Sequence, residues 1–203
     1  MNEGFRPVHG VGLAAVVLVG ISAVLDVLVA ALAWLTVDAD QFTPLGAAVS
    51  LMLSWCLLVA FVVTAATFIV WLYQARVNAD RITSPHQHRY SRAWLVGGWF
   101  VPIMNLFVPH AVVQDVWRAS DPANRLVPLP ERPQSGLITG WWICFLLSNV
   151  TVILPASRSY ELTVYTTISA ALSVAAAVLA ALVIRQVNDL QVNARNASPA
   201  PAA

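Results

Sequence analysis

Four long apolar runs decide what this chain can fold into. Val11–Val37, Leu45–Tyr73, Gly136–Pro155 and Tyr160–Ile184 each reach the roughly 20 residues that a helix needs to cross a bilayer. They are too long and too evenly apolar for amphipathic surface helices, and none alternates as a strand does. Of the 203 residues 59% are apolar and only 10% charged, against roughly 25% charged in soluble domains. The expected fold is therefore an all-α membrane protein with four transmembrane helices. Ala31-Leu32-Ala33 resembles a small-x-small cleavage site, but the apolar stretch before it, about twenty residues, exceeds the usual signal-peptide core. We read the first run as an uncleaved anchor.

The arginines orient the bundle. The chain has eleven arginines and no lysine, and such residues concentrate in cytoplasmic loops. Four spans with the amino terminus inside put Arg6, Arg76, Arg81, Arg89, Arg92, Arg118, Arg125, Arg132, Arg185 and Arg195 on the inner side and only Arg158 outside. A fifth span through residues 93–108 would divide them six to five and erase the bias. We therefore expect both termini to be cytoplasmic in a bacterial inner membrane. Residues 1–10 form a tail, 11–190 a single membrane domain, and 191–203, ending in Ser-Pro-Ala-Pro-Ala-Ala, a disordered tail.

Residues 93–108 are the unusual part. Gly97-Gly98 and Pro102 interrupt a short apolar stretch, and proline removes a donor and disfavours helix before it. Broken backbone cannot face lipid unsatisfied, so we expect a re-entrant or interfacial segment packed on the bundle. From Pro109 to Ser120 the pattern becomes amphipathic. Val112, Val113, Val116 and Trp117 share one face; Gln114, Asp115 and Arg118 share the other. This predicts an interfacial helix with Trp117 as its anchor and an Asp115–Arg118 pair at i, i+3.

Two stretches carry a resemblance. One is Trp71-Leu72-Tyr73-Gln74-Ala75-Arg76-Val77-Asn78. The other is Gly98-Trp99-Phe100-Val101-Pro102-Ile103-Met104-Asn105-Leu106, followed by Pro109, Asp115, Trp117 and Arg118. Together they resemble a bacterial membrane-protein family known as domain of unknown function 4328, over roughly residues 45–190. The resemblance implies a shared multi-span fold and no activity. His110 stands where that pattern suggests an aromatic residue.

Asp26 is the first candidate for a ligand or ion site. It sits near the middle of the first run, where a carboxylate is costly unless protonated or paired. It shares a small-residue face with Ala15, Ser22, Ala30 and Ala33, and Ser54, Ser169 and Ser173 lie at similar depth on other runs. It serves either as a proton, cation or ligand site or as interhelical packing. Asn105 is the second candidate: with Pro102 it either lines a polar cavity or satisfies the opened backbone. His86 and His88 form an H-x-H in a polar loop without a third ligand nearby, which reads as solvated. Cys56 and Cys144 read as small buried hydrophobes. The tryptophans at run ends, among them Trp34, Trp71, Trp94, Trp141 and Trp142, suit an interfacial belt, and Trp55 suits packing.

No catalytic group, metal site or cofactor is expected. A non-enzymatic scaffold or subunit ranks first, with a membrane or cytoplasmic protein as partner. A small oligomeric transport or channel unit using Asp26 and the Pro102–Asn105 break ranks second. A membrane enzyme on a lipid or isoprenoid substrate ranks third. Membrane lipids are expected around the chain, a homo-oligomer is compatible with it, and nucleic acid is not a partner.

Overall fold

A computed structural model describes residues 5–36, 44–150 and 159–196. The described residues are helical, without a strand. The helices are α1 (Val8–Leu35), α2 (Pro44–Ile82), α3 (Trp94–Gly97), α4 (Val108–Ser120), α5 (Gly136–Val150) and α6 (Ser159–Asn196). Single 3-10 turns occur at Pro85–Gln87, Met104–Leu106 and Leu129–Glu131. Among the described residues three helices, α1, α2 and α6, are long and apolar enough to cross a membrane. α5 is apolar but has 15 residues; residues 151–155 of the expected span lie outside the described ones.

α6 is the hub, packing on α1 and α5, while α1 also packs on α2. Close approach is written into Gly12 of α1, where an added Cβ would stand 2.6 Å from Asn188 Nδ2 and 3.2 Å from Trp71 Cδ1. Polar side chains tie the long helices at successive levels. Trp34 Nε1 donates to Thr167 Oγ1 at 2.9 Å, and Ser22 and Thr64 hydroxyls meet at 3.0 Å. Trp71 Nε1 donates to Asn188 Oδ1 at 3.1 Å. From Thr167 to Asn188 the helical rise is about 32 Å, close to the thickness of a hydrocarbon core.

Both α2 and α6 continue beyond the expected runs, to Ile82 and Asn196. Their extensions carry polar side chains that pack rather than dissolve: Asn78, Asp80 and Gln191 are buried. Part of the expected tail from residue 191 is thus ordered helix, and residues 197–203 lie outside the described ones. Most of the core gathers at this end, around Trp71, Leu72, Ala75, Ala79, Leu95, Ile138 and Val183.

α4 departs most from the sequence reading. It forms over nearly the expected residues, but eleven of its thirteen are buried. It packs against α2, α5 and α6 together, so its polar face meets protein instead of the water or headgroups expected of an interfacial helix. Trp117, the expected anchor, is half-buried. The tryptophan belt also changes. Trp71, Trp141 and Trp142 are buried, and with Phe68, Trp99 and Phe145 they form an aromatic cluster of ring contacts between 5.3 and 6.4 Å. Trp55 is 60% exposed, not packed, and Cys56 is exposed; both line an open groove between α2 and α1, opposite Leu18, Ile21 and Ser22.

Candidate functional site

The candidate site is the arginine-rich end, where the extensions of α2 and α6 meet α4 and the loops 83–93 and 121–135. Asp80 lies one turn after Arg76 on α2. Its Oδ1 accepts from Arg76 Nε at 2.8 Å and its Oδ2 from Arg92 Nε at 2.9 Å. His88 Nε2 stands 3.3 Å from Asp80 Oδ1 without hydrogen-bond alignment. Burial, reinforced by the Arg76 charge against a smaller opposing effect of Asp80, lowers His88 to about 4. The imidazole is neutral at neutral pH, because a charged ring would be desolvated between arginines. His88 is therefore not the solvated loop residue expected; His86 is exposed.

Asp115 on α4 is the second buried carboxylate. Its Oδ2 accepts the Arg89 backbone N–H at 3.1 Å, and its Oδ1 lies 3.8 Å from Arg118 Nη1, the expected pair at the long limit of contact. Burial raises Asp115, against the Arg89 backbone hydrogen bond and the charges of Arg89, Arg118 and Arg76. Gln114 docks α4 on the start of α5: its Nε2 donates to Ser135 O at 2.8 Å and its Oε1 accepts Ser135 N–H at 3.0 Å. His110 Nε2 meets Thr139 Oγ1 at 3.2 Å; burial and then the Arg89 and Arg118 charges lower it.

Arg132 clasps the far end of α4. Its Nη1 donates to Arg118 O at 2.8 Å and to Thr83 Oγ1 at 3.1 Å, and its Nε donates to Val127 O at 2.9 Å. A helix end carries unpaired carbonyls, and a guanidinium meets them with charge and geometry together. α6 closes the end: Gln191 Nε2 donates to Ala75 O at 2.8 Å and to Ser120 Oγ at 2.9 Å. Asn78 Nδ2 donates to Gln191 Oε1 at 3.0 Å, and Asn78 Oδ1 accepts Arg6 N–H at 2.7 Å.

The motif residues occupy distinct places. Gly98 is a close approach, where a Cβ would stand 2.7 Å from Val108 Cγ1 and 2.8 Å from Trp94 O. It lets the α3 turn fold back on the start of α4. Trp99 lies edge-on to Phe68 and Trp142. Pro102 is exposed, and Pro109 is buried in the first turn of α4, where its missing donor is harmless. The side-chain oxygen of Asn105 is buried and takes no hydrogen bond among the described residues. Trp142 Nε1 donates to Leu106 O at 2.9 Å, a carbonyl just ahead of Pro109, which has no N–H to offer it.

Asp26 lies elsewhere, at the α1–α6 interface, where Ser173 Oγ donates to its Oδ2 at 2.5 Å. Along α6, Ser173 is about 9 Å below the Thr167 level. Ser169 instead donates to Ser148 O at 2.7 Å and Ser54 to Ser50 O at 2.9 Å. No hydrogen bond links Asp26 with Asn105 among the described residues. Asp80 and Gln191 escaped the sequence reading, and His88 and Arg132 were read without their burial; only Arg76 and Asp80, at i, i+4 on one helix, carried a readable signal.

Chemically, the arrangement fixes charge and shape. Among the described residues no three His, Cys, Asp or Glu side chains gather as a metal set. No curated protein and no solved structure matches the chain. The family described as Domain of unknown function (DUF4328) matches residues 38–189, which takes in α2 to α5, most of α6 and the whole stretch from Gly98 to Arg118. The chain belongs to that family.

Proposed function

We propose that this is a four-span protein of the bacterial inner membrane, with its arginine-rich end and both termini in the cytoplasm, that acts by holding a protein partner. The observation that carries this is the head itself. The polar ends of α2 and α6, together with α4, build a packed structure that presents Arg81 and Arg125 outward from a fixed frame. Rigid placement of arginine on a folded surface suits recognition of another protein.

The fourth span is α5. In support, Ser148 near its end meets Ser169 of α6, two residues from the Thr167 level where Trp34 also docks. The broken segment 93–108 is an interfacial or re-entrant limb. In support, Phe100 and Ile103 are 76% and 74% exposed, which is costly in water and natural in lipid. Co-purification of the full chain from native membranes after mild crosslinking tests the function. A stoichiometric protein partner is the expected result; a chain recovered alone, at every crosslinker dose, contradicts it.

A second reading has an observation of its own. The Asp26–Ser173 contact is an acid inside the apolar part of the bundle, and such acids mark ion or proton paths in many membrane proteins. Reconstituted protein that moves protons or cations, and loses that flux in Asp26→Asn, would favour a transport unit over a scaffold.

A further inference from the structure

The limb from Arg81 to Phe107 contains no aspartate or glutamate, and it carries exposed arginines beside exposed apolar side chains. Arg92 is held by one edge: its Nε donates to the buried Asp80, while the side chain remains 51% exposed. Among the described residues no hydrogen bond takes its two terminal nitrogens. Arg89 is placed by the other buried carboxylate, since Asp115 accepts its backbone N–H; its side chain is exposed and makes no ion pair among the described residues. Two carboxylates thus fix where two guanidinium groups emerge. A few residues on, Phe100, Ile103 and Phe107 point outward, with Trp94 between, packed on Tyr90 at 6.2 Å.

Guanidinium groups match the oxygens of a phosphate in geometry as well as charge. Exposed aromatic and aliphatic side chains next to them match the acyl boundary just below. We infer that this limb is a binding site for an anionic phospholipid: Arg89 and Arg92 take the headgroup phosphate, and Phe100, Ile103 and Phe107 enter the acyl layer. Asp80 and Asp115 are positioning residues, which hold the arginines ready without touching the lipid. The site rests on the membrane embedding proposed above and not on the protein-partner reading.

The test uses the full chain in nanodiscs of equal phosphatidylcholine and phosphatidylglycerol, with native mass spectrometry of the lipid it retains. The wild type retains phosphatidylglycerol preferentially. Arg89→Gln with Arg92→Gln lowers that preference by roughly thirtyfold, and Arg89→Gln alone, which leaves the Asp80 contacts intact, by about fivefold. The charge-matched control Arg81→Gln with Arg125→Gln lowers it by less than about threefold. Phe100→Ser with Ile103→Ser reduces retention of both lipids and leaves the headgroup preference unchanged. An equal loss in the control, or no preference in the wild type, overturns the site. Displacement of the lipid by inorganic phosphate overturns the lipid assignment in favour of a soluble phosphate ligand. Alkaline extraction separates the failures: a chain stripped from membranes refutes the embedding, whereas a chain that stays without headgroup preference refutes the site alone.

Discussion

Gly98 sits where the α3 turn presses on Val108 and on the Trp94 carbonyl, so Gly98→Ala should cost about 1–3 kcal/mol by overpacking. Val108→Ala in the same chain should return only part, since the Trp94 contact is backbone; melting in detergent measures both. His88 carries a pH effect. Held near 4 in the folded protein and near 6.5 when unfolded, it binds its proton first in the unfolded chain. Stability is therefore intact above pH 6.5 and falls as the pH drops from there towards 4. His110, also lowered, acts in the same direction. Asp115, raised by burial, takes its proton more readily when folded and offsets the loss at the acid end. Replacing His88 with Gln should flatten the slope of melting temperature against pH over that window. Asp26→Asn keeps an acceptor for Ser173 and should change stability by roughly 0.6 kcal/mol, the mean for hydrogen bonds between membrane helices. At this scale the sequence exposed Asp26 and Asp115, because acids in apolar or amphipathic surroundings stand out. It hid Asp80 and His88, whose burial depends on Arg92 and α4 arriving from elsewhere in the chain.

α4 shows how an element can be read correctly and placed wrongly. Its apolar and polar faces were plain in the spacing of Val112, Val113 and Val116 against Gln114, Asp115 and Arg118. A polar face normally means water. Here it means Ser135, the Arg89 backbone and the Arg132 clasp, partners between 14 and 26 residues away in sequence. No local pattern announces such partners. Arg132 should therefore matter more to α4 than any residue of the loop around it. Arg132→Met leaves Arg118 O, Val127 O and Thr83 Oγ1 without its donors and should cost about 2–4 kcal/mol. It should also raise amide exchange at the C-terminal turn of α4 before the long helices open. Unchanged exchange there would show that the clasp is incidental. The helix extensions follow the same logic. Runs ending near Tyr73 and Ile184 mark where apolar composition stops, whereas α2 and α6 continue because their polar side chains find each other through Asn78 and Gln191.

For the whole molecule, the all-helical architecture was legible because apolar runs of this length admit few alternatives to crossing a bilayer. The head at the arginine-rich end was not, since it is assembled from contacts such as Trp71 with Asn188 and Asn78 with Gln191, which composition cannot show. With α5 crossing the membrane, as proposed, the loop after α4 and the segment before α6 face opposite sides. Single cysteines at Ala123, which is exposed, and at Ser157, in a chain with Cys56 and Cys144 replaced, test this in intact cells with an impermeant maleimide. The cysteine at 157 should label from outside, while the one at 123 should label only after the membrane is opened. Labelling of both from the same side would contradict the crossing.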